Sequence, residues 1–229
     1  ESVEDEPERV ATATGTFLAV PGKEPQQPLD APTAVDPAEA AGVYETQVSF
    51  EQPGFYGVAL QADVGEAGPV TGTGVFRVAA EQEVIGIGES VPAVDNLTLE
   101  SDVEPAAIDS RAGIGDNSEI PDPHLHDATV AETLAAGEPM VIVISTPVYC
   151  VSQFCGPITD EIADLAREYD DRAEFIHLEV WRDFAASELN DAAAAFIQTA
   201  EGGNEPWVFV VGADGTVIER WDNVLDLPE

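Results

Sequence analysis

The 229-residue chain is nearly without lysine: Lys23 is the only one, and 8 basic residues face 45 acidic ones, for a formal net charge of −37. A surface of this sign repels phosphate backbones and anionic lipids, so the composition excludes nucleic acid as a partner. Because the acids are spread along the whole chain, we interpret them as an adaptation to high salt, where a Debye length of roughly 3 Å at 1 M screens their repulsion. The alternative is an acidic patch for a cationic partner or metal.

Long hydrophobic runs are absent as well. No stretch of about 18 or more apolar residues occurs, which excludes a membrane-spanning helix within this sequence. The chain starts at Glu1 without a signal-peptide pattern, and we expect a mature chain from which an export signal or lipid anchor was removed. The expected location is extracytoplasmic: secreted, periplasmic, or anchored at the cell surface through the removed N-terminal segment.

Cysteine is limited to Cys150 and Cys155, in the segment VIVISTPVYCVSQFCGPITDEIADL. Two cysteines are too few for a small secreted disulfide scaffold, but they suit an exported redox protein with a single pair. In one continuous helix, the C-x-x-x-x-C spacing would separate the two Cα atoms by roughly 8.6 Å, beyond the limit of about 7 Å for a disulfide. The pair can therefore form a bridge only if Cys150 lies in the loop before the helix, or if the first helical turn unwinds.

The first part of the chain predicts β-structure. Residues 1–8 are acidic and expected to be disordered. Residues 9–82 are predicted to form a small antiparallel β-sandwich, because short strand-like segments alternate with glycine- and proline-containing turns. The stretch GVYETQVSFEQPGFYGVAL resembles the paired-strand signature of exported bacterial immunoglobulin-like modules, which implies an immunoglobulin-like domain. The strand-like segments are residues 10–20, 43–50, 55–64 and 70–79.

Residues 83–126 are predicted to be a linker between two domains. They contain several prolines and glycines and many acidic residues, and a loop of this length is uncommon inside one compact domain. Within them, IGESVPAVD resembles the segment that precedes thioredoxin-like domains in many exported proteins. We therefore expect a second domain after this linker.

That second domain, residues 127–229, has an α/β pattern. Residues 140–145 form a continuous apolar run, which is typical of a strand buried on both faces, and residues 158–169 carry apolar side chains at helical spacing. Asp127 and Gly137 are the predicted cap and end of a short preceding helix. The predicted order from the first buried strand onward is β-α-β-α-β-β, with the later elements at residues 175–180, 190–200, 207–211 and 216–221.

This pattern resembles the thioredoxin-like superfamily. A buried strand leads directly to Cys150, Pro157 follows seven positions later, and DEIADLAREY looks like the second half of the first long thioredoxin helix. Glu205-Pro206 lies where the family places its cis-proline, and VFVVGADGTVIERW matches the last two strands of the family. The resemblance covers roughly residues 127–221 and implies a thioredoxin-like fold.

The resemblance also implies an activity, thiol–disulfide exchange with protein thiols and disulfides as partners and no cofactor. Cys150, expected at a helix N-terminus that lowers the pKa of a thiol, would attack the partner. Cys155 would then resolve the mixed disulfide. The residues expected to contact the partner polypeptide are Tyr149, Glu205, Pro206 and Trp207.

A non-enzymatic binding protein and a peroxidase are two alternatives. In a thioredoxin-like binding protein the disulfide would be structural, although a bridge that closes so small a loop constrains the unfolded chain less than a long-range one. The C-x-x-x-x-C spacing also resembles that of some peroxiredoxins. However, Thr146 lies four positions before Cys150, whereas those enzymes have a threonine three positions before the first cysteine.

A copper-handling protein of the same fold is a third alternative. His124 and His126 form H-L-H, and His177 lies in FIHLEV, so imidazole and thiolate ligands are available for copper or zinc. Copper-handling proteins of this fold use C-x-x-x-C and a downstream histidine, whereas this sequence has C-x-x-x-x-C, its H-L-H lies upstream of the cysteines, and no histidine follows His177. We expect H-L-H to form a solvated turn, His177 to lie in the core or on a sheet face, and no metal to be bound.

Overall fold

A mixed four-stranded sheet organises the C-terminal half of the protein. The computed structural model describes residues 9–19, 42–63, 68–81, 84–113, 118–150, 154–197 and 205–222. The strands are β1 Thr16–Ala19, β2 Gly42–Glu45, β3 Gly54–Asp63, β4 Pro69–Val78, β5 Met140–Ser145, β6 Glu174–Glu179, β7 Trp181–Asp183, β8 Glu188–Leu189, β9 Trp207–Val211 and β10 Val217–Asp222. The helices are α1 Val130–Ala136, α2 Cys155–Glu168 and α3 Asp191–Ile197, with 3-10 helices at Pro105–Ala107, Ser110–Gly113 and Pro123–Leu125. Among these described helices, none has both the length and the apolar character that crossing a bilayer requires.

The strand order in the central sheet is β10-β9-β5-β6. β5 and β6 run parallel and are connected through α2, whereas β9 is antiparallel to β5 and β10 is antiparallel to β9. The predicted mixed α/β character of this part is confirmed, and β5 and β9 coincide with the strands predicted at residues 140–145 and 207–211. The short β7–β8 pair was not predicted.

The central strand β5 is buried on both faces, as its continuous apolar run predicts. Ile142 and Ile144 lie in one hydrophobic cluster together with Phe196 of α3. Val143 lies in a second cluster together with Ile162 of α2. Because side chains alternate along a strand, α2 covers one face of the sheet and α3 the other. Full burial of each such aliphatic side chain contributes about 1.5–3 kcal/mol.

Helix α1 begins after Thr129 and not at the predicted cap, Asp127. The Thr129 hydroxyl accepts a hydrogen bond from the Glu132 backbone N–H, and the Glu132 carboxylate accepts one from the Thr129 backbone N–H, each at 3.1 Å. This reciprocal capping box satisfies two amides at once, which explains why the threonine defines the start of the helix. Gly137 ends the helix in the left-handed conformation at a φ of 69°, as predicted.

Residues 84–113 and 118–126, the packed segment, lie within the predicted linker but pack against the sheet. Leu125 is 0% exposed and belongs to the same cluster as α2. The Val91 backbone N–H donates to the Gly215 carbonyl at 3.0 Å, which joins the segment to the turn between β9 and β10. Proline and glycine indicated irregular backbone, which the short 3-10 helices bear out. Scattered apolar residues without a period gave no signal that this backbone would be buried.

The N-terminal part forms two separate antiparallel ladders in the described residues, β1 with β2 and β3 with β4. Leu18 and Val43 pack against Phe154, beside the start of α2. The β-sandwich predicted for residues 9–82 stays a prediction. Residues 1–8, predicted to be disordered, lie outside the described part of the chain.

Candidate functional site

The two cysteines form a disulfide at the carboxyl end of β5. Cys150 lies in a turn after this strand, where its backbone N–H donates to the Thr146 carbonyl at 3.1 Å. Cys155 is the first residue of α2. The two Cα atoms are 6.1 Å apart, within the range that a disulfide spans. Of the two arrangements that the spacing allows, the structure therefore has the one with Cys150 in the loop.

Cys155 lies at the N-terminus of the helix, where the sequence predicted Cys150. α2 begins at Cys155 because Gly156 and Pro157 fit its first turn, where the missing N–H of proline costs no helix hydrogen bond. Cys155 is 0% exposed, whereas Cys150 is half-buried. Cys150 is therefore the more accessible cysteine of the pair, while the helix N-terminus favours a thiolate on Cys155.

Glu205 is brought to the disulfide by the pairing of β9 with β5. Trp207, the first residue of β9, lies opposite Ile144 near the end of β5. The two residues before Trp207 therefore lie next to the turn that holds Cys150. A carboxylate oxygen of Glu205 and the two cysteine Sγ atoms all lie within 4.8 Å of one another. The Glu205–Pro206 peptide bond is cis, at the position where the family resemblance predicted it.

The Glu205 carboxyl is suited to proton transfer at this position. Burial raises its pKa, and the nearby buried carboxyl of Glu179 raises it further. Glu205 therefore keeps its proton to a higher pH than an exposed glutamate does. A protonated carboxyl beside two sulfurs can donate a proton to a departing thiolate.

Two other residues predicted to contact a partner have different surroundings. Tyr149 stacks on Phe184 with ring centroids 4.0 Å apart, and Phe184 is 46% exposed. Trp207 packs beside Phe209 with ring centroids 6.0 Å apart, and the Arg220 guanidinium lies 5.4 Å from the centre of its ring. The tyrosine therefore belongs to an exposed aromatic surface next to the disulfide. The tryptophan packs on the sheet, and of the residues predicted at the start of β9 it is Glu205 that the structure brings to the sulfurs.

A second polar cluster is buried in the same half of the molecule. Asp109 and His126 are 0% exposed and His177 is 1% exposed. Asp109 Oδ2 lies 3.4 Å from His126 Nε2 and 3.6 Å from His177 Nδ1. Both distances exceed the length of about 2.7–2.9 Å expected of a charge-assisted hydrogen bond. Arg111 makes the shorter contact, at 2.7 Å, to the same oxygen. The prediction that H-L-H forms a solvated turn is wrong for His126, although His124 remains partly exposed.

The charges in this cluster follow from burial and from its neighbours. Burial alone would raise the pKa of Asp109, but the two histidines and Arg111 outweigh it and hold that pKa well below its ordinary range. Burial lowers the pKa of His126, and the imidazole is therefore more readily neutral than an exposed one. The cluster thus combines an ionised carboxylate, a neutral imidazole and a guanidinium.

A chain of buried hydrogen bonds connects this cluster to α2. His177 Nε2 and Ser145 Oγ are 2.9 Å apart, and Ser145 Oγ and Thr159 Oγ1 are 2.6 Å apart. The Thr159 hydroxyl donates to the Cys155 carbonyl at 2.8 Å. The chain fixes the first turn of α2 relative to the sheet, and the position of Cys155 therefore depends on the buried cluster.

No protein-family model matches the chain, and no curated protein and no solved structure shows significant similarity to it. The function is therefore inferred from the chemistry and geometry of this chain alone.

Sequence reasoning found the histidines of the buried cluster but missed the acid that joins them. Asp109 lies in AAIDSRAG, a stretch without helical or strand periodicity. Glu179 accepts a hydrogen bond from the Ser110 backbone N–H at 2.9 Å. The sequence predicts only that Glu179 belongs to the strand at residues 175–180. The pairing of Asp109 with Arg111 two residues later was the one available signal. Its meaning depends on the burial of the packed segment, which the sequence does not indicate.

Proposed function

We propose that the protein is a thiol–disulfide oxidoreductase that exchanges the Cys150–Cys155 disulfide with protein thiols. The observation that carries this proposal is the arrangement around the bridge. Cys150 is the more accessible cysteine, Cys155 begins a helix, and a carboxylate oxygen of Glu205 lies within 4.8 Å of both sulfurs. A structural bridge needs no titratable group beside it, whereas in exchange such a group can protonate the departing thiolate.

The proposed scaffold for this chemistry is a thioredoxin-like domain, residues 127–229. It is supported by the strand order and by the parallel pair of strands connected through α2. An immunoglobulin-like domain in residues 9–82 and adaptation to high salt are further proposals, which rest on the sequence. An extracytoplasmic location is proposed as well, and a disulfide is compatible with it.

The proposed reaction starts at the reachable sulfur. A partner thiolate attacks Sγ of Cys150 and forms a mixed disulfide, while the electron pair of the broken S–S bond goes to Cys155. Cys155 departs as a thiolate that the helix N-terminus stabilises, and protonated Glu205 supplies its proton. A second thiolate of the partner then attacks the partner sulfur of the mixed disulfide and releases Cys150. The partner leaves oxidised and the protein is left as the dithiol.

The reduction potential of the cysteine pair tests this proposal. We expect a value between about −120 and −270 mV, the range of exchange catalysts. It is measured in a glutathione or dithiothreitol redox series at high salt, followed by thiol alkylation and mass spectrometry. A potential below about −300 mV, typical of structural disulfides, would contradict the proposal.

Replacing Glu205 by glutamine should change how reduction of the disulfide depends on pH. In the natural protein, the rate per dithiothreitol thiolate should fall as the pH rises through the raised pKa of Glu205, because the proton donor is lost. With Glu205→Gln this fall should disappear, and the rate at low pH should be lower. Stopped-flow kinetics of disulfide reduction measure the pH profiles of the natural protein and the variant. The series starts at pH 4.5, close to the pKa of about 4.3 of an ordinary glutamate.

Glu174→Gln is the matched control. Burial also raises the pKa of Glu174, but this residue lies opposite Met140, at the other end of β5 from the disulfide. This variant should retain the natural pH profile. If the pH profile of disulfide reduction changes equally in both variants, the change is caused by the loss of a negative charge. Glu205 would then not act as a proton donor to the sulfurs.

A non-enzymatic binding protein with a structural disulfide is the second candidate. It is favoured by one observation, the complete burial of Cys155 at 0% exposure. A bridge with one inaccessible sulfur is protected from attack on that side, which is a property of stable disulfides. The reduction potential separates the two candidates.

A further inference from the structure

We propose that Asp109, His126 and His177 form a binding site for one divalent transition-metal ion of the zinc type. The proposal does not depend on the proposed thiol chemistry, because neither cysteine takes part. Two imidazoles and a carboxylate are a ligand set that zinc and related ions accept in proteins.

The spacing of the three side chains fits such an ion. One ligand atom from each lies within 4.8 Å of the other two. Zinc binds nitrogen at about 2.0–2.1 Å and carboxylate oxygen at about 2.0–2.2 Å, so tetrahedral ligands are separated by roughly 3.3–3.6 Å. The distances from Asp109 Oδ2, 3.4 Å to His126 Nε2 and 3.6 Å to His177 Nδ1, lie within this range. They are longer than ordinary N–H···O hydrogen bonds and match two edges of a coordination tetrahedron.

The histidine nitrogens are otherwise unsatisfied. His126 Nδ1, His126 Nε2 and His177 Nδ1 are buried and have no hydrogen-bond partner. A buried polar atom without a hydrogen bond destabilises the fold, so each one calls for an explanation such as a bound ion. An ion coordinated between the rings would use one nitrogen of each and remove most of this cost.

Hydrogen bonds from neighbouring residues orient the proposed ligand side chains, as they do in protein metal sites. His177 presents Nδ1 to the cluster, and its Nε2 lies 2.9 Å from Ser145 Oγ. Such a contact fixes the tautomer and the orientation of a ligating ring. Arg111 donates to both carboxylate oxygens of Asp109, to Oδ1 at 3.1 Å and to Oδ2 at 2.7 Å, which fixes the carboxylate as well.

The ion would join two parts of the fold. Asp109 and His126 belong to the packed segment, and His177 belongs to β6 of the sheet. Because these ligands come from separate segments, binding would favour the folded state over the unfolded chain. A metal bridge would also explain why a segment with the composition of a linker is held against the sheet.

The test uses the disulfide-bonded protein, because Cys150, Cys155 and Glu205 form a second group of close ligand atoms that is available only after reduction. The protein is freed of metal with a chelator and titrated with Co²⁺ at high salt, which suppresses loose binding to the acidic surface. We expect one Co²⁺ per chain with the strong visible absorption of a tetrahedral site, displacement by Zn²⁺, and a higher Tm with either ion.

His126→Gln and His124→Gln form the matched pair of variants. His126→Gln should weaken Co²⁺ binding by more than the roughly 10–100-fold that loss of an outer partner costs. His124→Gln should bind Co²⁺ as the natural protein does, because His124 lies outside the cluster and contacts the Ala163 carbonyl at 3.4 Å. Equal binding by both variants, or no tetrahedral absorption in the natural protein, would overturn the proposal.

X-ray absorption of the Zn²⁺-loaded natural protein provides a test that does not depend on whether a variant folds. We expect scattering from two imidazoles and no zinc–sulfur distance. A shell of oxygen atoms alone would assign the ion to surface carboxylates, and a sulfur shell would assign it to the cysteines. Either result would overturn the proposal.

Discussion

The Cys155→Ser protein is expected to react rapidly with a disulfide reagent and to retain a stable mixed disulfide, whereas the Cys150→Ser protein is expected to react very slowly. The half-buried Cys150 stays reachable when its partner cysteine is replaced. Cys155 is 0% exposed, and its sulfur can react only after local opening of the structure. If that opening costs about 2.7 kcal/mol, the reaction of Cys155 is slowed by roughly 100-fold.

The two rates are measured with a chromogenic disulfide and with a disulfide-linked peptide, followed by mass spectrometry of the adduct. Both variants in concentrated urea provide the control, since the two thiols should react at similar rates once the chain is unfolded. Equal rates in the folded proteins would contradict the assigned roles. A stable adduct on Cys155→Ser with the peptide would identify Cys150 as the residue that contacts the partner.

The aromatic surface beside Cys150 is the part of this site with the clearest connection to partner choice. Tyr149 was predicted from its position before the cysteine, but Phe184 lies in the turn between β7 and β8, and that pair of strands was not predicted. Strands of two or three residues carry too few positions for an alternating pattern to be recognised. A surface built across such a turn therefore cannot be read from periodicity.

Long and strongly patterned elements were predicted best. The apolar run of β5 gave its bounds because a strand buried on both faces has no polar positions. The apolar period marks residues 158–169 as helical but does not define where the helix starts, because Gly156 and Pro157 carry no apolar side chains at helical spacing. The family resemblance places the helix N-terminus at Cys150, whereas in the structure the helix begins at Cys155.

The buried cluster could not be predicted for a different physical reason. Its ligand atoms come from positions far apart in sequence, and Asp109 and His126 become buried only because the packed segment folds over the sheet. Residues of this segment follow no period, and its composition is that of an exposed loop. Tertiary packing alone determines that these polar side chains lie inside, and packing is not encoded in local patterns.

Replacing Arg111 by alanine is expected to destabilise the protein by about 3–5 kcal/mol, the cost of leaving a buried charge without its partner. Arg111 contacts Asp109 at 2.7 Å, Asp122 at 3.0 Å and Asp160 at 2.9 Å. Asp109 is 0% exposed, so its carboxylate has no access to water when the guanidinium is removed. Urea denaturation of the metal-free protein, at one fixed high salt concentration, measures the change in the free energy of unfolding.

Arg167→Ala is the matched control, because Arg167 also contacts Asp122 but is 53% exposed. An exposed ion pair is worth at most about 1 kcal/mol, and less at high salt. If the two substitutions cost the same, the surroundings of Asp109 do not behave as a buried charge site.

A double variant separates the unpaired charge from the lost packing. Adding Asp109→Asn to Arg111→Ala removes the buried charge while the side chain keeps its shape. We expect the double variant to be more stable than Arg111→Ala alone, because an amide costs less to bury than a carboxylate. If the double variant is as unstable as the single one, the arginine acts through the packing of its aliphatic part. In that case Asp109 does not depend on Arg111 for its charge.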